Sequence, residues 1–178
     1  MPYKKIRQII ATCDKKGNII GEIERWKAHE EGILHRAFTV ALIYKGSYVV
    51  QHRKHPVFDG VFDVSTSSHQ IMQNGKLQDT FEAARTSLSR EWNLDAEDLG
   101  EFKHKGAIYY KAKDSKSIYI EHEYCDIVQV EINHIPTPNY EVAYGVSLMT
   151  RAEIRNKKSR IYPLFAPWVI AALEKKLM

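Results

Sequence analysis

The sequence is poor in cysteine: Cys13 and Cys125 are its only two in 178 residues. A disulfide framework is thereby excluded, and a reducing compartment, the cytoplasm, is expected. Long apolar runs are missing too. Stretches such as Phe38–Tyr44 fall far below the ~20 residues of a membrane span. The opening Met1–Ile6 has no signal-peptide apolar core. Charge of one sign is scarce: 26 Lys and Arg against 22 Asp and Glu leave a net +4. That balance is too mild to argue for nucleic acid and suits a small anionic molecule. There is no internal repeat and no low-complexity segment. Also absent are a Gly-rich P-loop, a Gly-x-Ser-x-Gly elbow, a dinucleotide fingerprint and a Cys-x-x-Cys pair, so several large enzyme classes lose support.

What is present is an ordinary globular composition, 44% apolar and 27% charged. The length predicts one domain over 1–178, with a core over about 33–150. Alternation predicts an N-terminal hairpin over 4–23 with its turn at Lys16-Gly17. Glu24–Glu31 reads as a short helical turn. Arg36–Tyr44 and Ser47–His52 read as strands around Lys45-Gly46, and Val61–Ser68 as a further strand. Phe81, Ala84, Leu88 and Trp92 recur at helical spacing behind Asp79-Thr80, which predicts a helix over 79–92. Strands are expected at Glu101–Lys111 and Ile118–Ile132. A capping box, Thr150 with Glu153, starts a short helix at Arg151–Asn156, and a C-terminal helix covers 167–177. The sum is a mixed sheet with a few helices, α+β or α/β.

Four groups of residues could carry chemistry. His29, His35 and His69 with Glu121 and Glu123 form an N/O set suited to Mn, Zn, Fe or Mg. In an extended strand Glu121 and Glu123 share one face, where two carboxylates repel unless something positive lies between them. Spacing alone leaves open whether these five converge or decorate a surface and an edge strand. Around Glu91, the charges Asp79, Glu82, Arg85 and Arg90 fit a metal-bearing helix or a merely solvated one. Arg25, Arg36, Arg53, Lys54 and His55 fit phosphate binding or surface decoration. Tyr110 and Trp168 could line a pocket or fill the core.

Taken together, His29…His35-Arg-Ala-Phe38, Ser67-Ser-His69, Arg90-Glu91-Trp-Asn-Leu94, Tyr110-Lys-Ala, Glu121-x-Glu123-x-Cys125 and Phe165-Ala-Pro-Trp168 resemble the type I isopentenyl-diphosphate isomerases of the Nudix superfamily. The resemblance covers roughly residues 17–175. It implies a Nudix-type α/β/α sandwich and a divalent metal (Mn, Zn or Mg) on His29, His35, His69, Glu121 and Glu123. It also implies Glu91 at a second Mg on the substrate diphosphate, and Arg25, Arg53 and Lys54 as diphosphate contacts. The implied reaction moves a double bond between isopentenyl and dimethylallyl diphosphate by proton addition and removal. Glu123 and Tyr110 would serve that chemistry, and Trp168 would face the cationic intermediate. The implied partner is a small organic diphosphate, with neither nucleic acid nor membrane, and the implied state is monomer or homodimer.

This sequence departs from the family at several positions. The family's catalytic Cys, two residues before the third His, is Ser67 here. Asp59 and Phe62 replace a Pro and a Trp, and Ser87 replaces an Arg. Cys125 matches a different family Cys and reads as a buried apolar residue. Of the general Nudix box only Glu91 remains, with Asp79 near the position of the first Glu. That loss favours the isomerase branch over the hydrolase branch. A hydrolase of another organic diphosphate and a catalytically silent diphosphate-binding protein stand as the alternatives.

Overall fold

The computed structural model describes residues 7–178. The first strand, β1 (Ile9–Cys13), pairs antiparallel with β2 (Ile19–Glu24). The start of the expected hairpin, residues 4–6, lies outside the described residues. Asp14 Oδ1 closes the turn by accepting from Lys16 N at 2.8 Å and Asn18 N at 3.0 Å. Gly17 follows at φ 85°, and a Cβ there would lie 2.6 Å from the Tyr124 ring. Helix α1 (Arg25–Glu31) starts where Glu24 accepts from Lys27 N, and ends at Gly32 with φ 63°.

Strand β3 (His35–Tyr44) is the centre of the mixed sheet. It turns through Lys45 and Gly46, both at positive φ, into β4 (Ser47–Arg53). The two strands pair only over Ile43↔Tyr48 and Tyr44↔Ser47 before β4 diverges. The expected single strand over Val61–Ser68 is two: β5 (Phe62–Asp63), which pairs with β4, and β6 (Thr66–Ser68), which pairs with β3. Ser65 explains the break. At φ 89° it redirects the chain. Its hydroxyl accepts from Leu42 N at 2.9 Å and donates to Val49 O at 2.7 Å, stitching β3 to β4 where they part.

A small hairpin follows, β7 (Met72–Gln73) and β8 (Lys76–Leu77), around Asn74-Gly75. Helix α2 (Thr80–Trp92) begins as expected at Asp79, whose carboxylate caps Phe81 N and Glu82 N. Strand β9 (Lys103–Lys113) pairs antiparallel with β10 (Ile120–Ile132). Both begin two residues later than the sequence pattern suggests. Phe102 turns into the core, and Asp114 gathers Lys116 N and the Ser117 hydroxyl in the intervening turn. Strand β10 then runs parallel to β3 from Glu123↔His35 to Ile132↔Tyr44. An edge strand, β11 (Ala143–Thr150), pairs with β4. Helix α3 (Arg151–Ile154) starts at the Thr150–Glu153 capping box, and α4 (Pro167–Glu174) closes the chain with a shorter helix than expected.

Alternation along β3 divides the core into two layers. Phe38, Val40 and Leu42 face α2, packing with Ala84, Leu88 and Trp92. Ala37 and Ala41 face α4, packing with Trp168, Val169 and Ala172. The result is the expected α/β/α sandwich. No helix among the described residues is long and apolar enough to cross a membrane. Both cysteines are free and buried.

Candidate metal and anion site

The end of the sheet where β3 and β10 start gathers the ionisable side chains. Period two puts Glu121 and Glu123 on one face of β10, and parallel register sets Glu123 opposite His35. Helix α1 supplies His29, and the chain leaving β6 supplies His69. One ligand atom from each of the five lies within 4.8 Å of every other. Glu123 Oε1 is 3.1 Å from His69 Nε2 and 3.4 Å from His35 Nε2, while Glu121 Oε2 is 3.3 Å from His29 Nε2.

The histidine tautomers decide what this cluster can hold. His29 Nδ1 lies 2.6 Å from Arg25 O and His35 Nδ1 lies 2.7 Å from Ile33 O. A carbonyl only accepts, so each Nδ1 carries the proton and each Nε2 of a neutral ring presents a lone pair. His29 Nε2 and Glu121 Oε2 are then two acceptors facing each other, and Glu121 Oε2 accepts no hydrogen bond among the described residues. Such a pair needs a cation between its members, either a proton or a metal. Burial alone would lower the His29 pKa, but the Glu121 charge reverses this and raises it to about 9. Burial alone would raise the Glu123 pKa, but it falls to about 2 because positive charge shared with His35 and the hydrogen bond from the Tyr110 hydroxyl favour the ionised form. His69 stays neutral, pushed well down by burial and by the other two imidazoles. Two buried imidazoles with preset tautomers, a partly buried third and two buried carboxylates fit a divalent ion.

A narrow cleft opens at the cluster, lined in part by His29, His69, Glu121 and Glu123. Trp26, Val57, Tyr110 and Trp168 form its apolar and aromatic wall, Arg25 and Arg53 its cationic side, and His55 lies with them, its pKa pushed well down by burial and the Arg53 charge. Tyr110, opposite Glu123 across the β9–β10 ladder, donates its hydroxyl to Glu123 Oε2 at 2.5 Å. Burial and the Glu123 charge push the phenol well above its usual range, so it stays protonated. Ser67 also lines the cleft, and its hydroxyl lies 2.8 Å from Thr39 Oγ1. Thr39 in turn lies 3.4 Å from Cys125 Sγ. Cys125 is buried as expected, and burial raises its thiol pKa.

Two of the expected site residues are placed elsewhere. Lys54 is exposed, with Nζ on Tyr140 O at 3.1 Å, and is not part of the cleft wall. Glu91 is outside both the His/Glu cluster and the cleft wall. Its carboxylate takes the Thr66 hydroxyl and the Arg90 guanidinium. Successive residues of β6 explain this: Thr66 turns toward α2 while Ser67 turns toward the cleft. Arg36, from the basic set, pairs with Asp126 at 2.5 Å. His55, from the basic set, joins the wall, and so does Trp26, which the sequence did not single out. The cue for Trp26 is its i, i+3 spacing to His29, whose ring centroid lies 6.1 Å away.

No protein-family model matches the chain. Mouse isopentenyl-diphosphate Delta-isomerase 1 is 30% identical, aligned over 93% of this chain and 82% of its own length. Human isopentenyl-diphosphate delta-isomerase 2 is 24% identical over 98% of this chain and 84% of its own. Among solved structures, DR0079 from Deinococcus radiodurans superposes with a TM-score of 0.67 at 16% identity, covering 96% of this chain and 97% of that one. The MutT protein of Methanosarcina mazei Go1 gives 0.58 at 7% identity, over 81% and 92%. A Nudix hydrolase from M. smegmatis gives 0.50 at 13% identity, over 79% and 82%. The structural matches establish the fold, and the mouse relative establishes kinship: this chain belongs to the isopentenyl-diphosphate isomerase family and has the Nudix fold.

Proposed function

We propose that this protein is a divalent-metal-dependent isomerase that converts isopentenyl diphosphate to dimethylallyl diphosphate. The observation that carries the reading is the His/Glu cluster, with its two preset tautomers, at an aromatic cleft whose lining includes the buried Arg25 and Arg53. A bound divalent ion would supply fixed positive charge that keeps Glu121 and Glu123 ionised side by side.

The chain's own residues would do the rest. Arg25 and Arg53 attract the diphosphate, and the wall of Trp26, Tyr110 and Trp168 takes the hydrocarbon end and excludes water. Glu123 exchanges one proton with the substrate, with the Tyr110 hydroxyl bonded to its other oxygen. The second proton transfer falls to a hydroxyl in the cleft, Ser67 or Tyr110. The Trp168 ring face would stabilise positive charge on the substrate by about 0.5–2 kcal/mol.

The serine favours a second reading, hydrolysis of another organic diphosphate. A serine hydroxyl is a far weaker acid than a thiol, and proton delivery to an alkene needs an acid. One experiment separates the two. Metal-loaded protein is incubated with isopentenyl diphosphate in heavy water and followed by NMR. Deuterium incorporation with double-bond migration is expected. Phosphate release without migration would instead mark a hydrolase, and neither would mark a silent binding protein.

A further inference from the structure

Behind the wall of the cleft, outside the His/Glu cluster, lies Asp63, with no exposed surface. It sits on β5, beyond the point where the chain has left β4. Its Oδ1 accepts from the Trp168 indole N–H at 2.9 Å and from Val64 N at 2.8 Å. Its Oδ2 accepts from Arg53 Nη1 at 3.3 Å. Arg53 is itself buried, and its guanidinium carbon lies 5.2 Å from the centroid of the Trp168 ring. Arg53 and Trp168, one cationic and one aromatic, both line the cleft. A single carboxylate behind the wall thus joins the residue facing the anionic end of a ligand to the residue facing its hydrocarbon end.

Two consequences follow from elementary electrostatics. A buried carboxylate needs its partners, so the Arg53 charge is partly offset where it sits. The indole N–H bond to a charged acceptor is stronger than one to a neutral acceptor, and it fixes the plane of the ring. We propose that Asp63 is a positioning residue of the cleft, holding the Arg53 guanidinium against the Trp168 ring and setting how much of the Arg53 charge a bound anion feels. This inference rests on the reading of the cleft as a diphosphate site.

The test uses full-length, metal-loaded protein carrying Asp63→Asn, with inorganic diphosphate and Mg²⁺ as the calorimetric probe. The amide removes the charge that offsets Arg53, so diphosphate is expected to bind about three- to tenfold more tightly. The indole N–H resonance of Trp168, identified by its loss in Trp168→Phe, is expected to shift. With isopentenyl diphosphate, KM and kcat are expected to fall together, a pattern that simple loss of stability does not produce. The double variant Asp63→Asn/Arg53→Gln is expected to lose the tighter binding. Unchanged or weaker diphosphate binding, or an unmoved indole resonance, would overturn the proposal. If Asp63→Asn does not fold, the double variant must restore folding, and failure to do so would overturn the Arg53 pairing. Tighter diphosphate binding without double-bond migration would leave the Asp63 assignment standing and remove the isomerase reading. No diphosphate binding by the unaltered protein would remove the diphosphate reading, and the indole resonance would then decide the bracing role.

Discussion

His35 and Glu123 are Cα partners across the parallel β3–β10 ladder, and their side chains meet at 3.4 Å on the same face. The pair gives the cluster two ligand atoms fixed by backbone register rather than by loops. His35 Nδ1 is tied to Ile33 O, so the imidazole cannot turn away. A divalent ion should therefore bind the folded state and not the unfolded one. Free metal at 100 times Kd should add about 2.7 kcal/mol of stability. A thermal melt with and without EDTA checks this, and His35→Ala should abolish the metal-dependent part of the shift in Tm.

Metal binding should also release a proton. With its pKa near 9, His29 is protonated at pH 7.5 in the metal-free protein, while ligation requires a bare Nε2. The sign is fixed: affinity rises with pH up to the His29 pKa and falls about tenfold for each unit below it, for one competing proton. Calorimetry at pH 7.5 in two buffers of different ionisation enthalpy should show about one proton released per ion bound.

Glu123→Gln should cost about 10²–10⁴-fold in isomerase turnover, the usual worth of one general acid or base. Tyr110→Phe removes the hydroxyl bonded to Glu123 Oε2 and should lower turnover by less than that. Steady-state rates measured by the double-bond assay decide. Full activity in Glu123→Gln would sink the proposed role of this carboxylate.

Ser67→Cys places a group of far lower pKa in the cleft, since a thiol ionises near 8.5. Turnover should rise by about tenfold or more if proton delivery at this position limits the rate. An unchanged rate would mean that proton delivery at this position does not limit turnover.

Gly32→Ala should loosen the site from a distance. Gly32 ends α1 at φ 63°, and a Cβ there would lie 3.2 Å from two Ile120 side-chain carbons. A non-glycine residue in that conformation costs about 1 kcal/mol before the contact is counted. The C-terminal turn of α1, which carries His29, must shift to relieve it, so metal affinity should fall together with Tm.

The sequence makes some of this plain and hides the rest. Helix α2 is legible because its apolar residues and its cap are local: Asp79 and the Phe81–Trp92 repeat need no distant partner. The break at Val64-Ser65 is not, because the groups that hold Ser65 belong to Leu42 and Val49. Strand β11 escapes notice because an edge strand buries few of its residues, Ala143 alone being fully covered. The His/Glu set is visible in the sequence as a candidate donor set, but its convergence is implied only by resemblance, since spacing along the chain does not say that five residues on four segments meet. Glu91 and Lys54 show that a matching residue type does not tell which partners its side chain takes. The matching residues are present, but Thr66 and Arg90 hold the first, and the second reaches Tyr140.

The parallel pairing of β3 with β10 also governs when the site can come into being. Partners about 90 residues apart must find each other across a loop whose closure is entropically costly and slow. A growing chain released before β10 has the three imidazoles but neither Glu121 nor Glu123. Competence to hold a metal ion would then arise late in folding, together with the central strand pairing, and would serve as a clock for its completion.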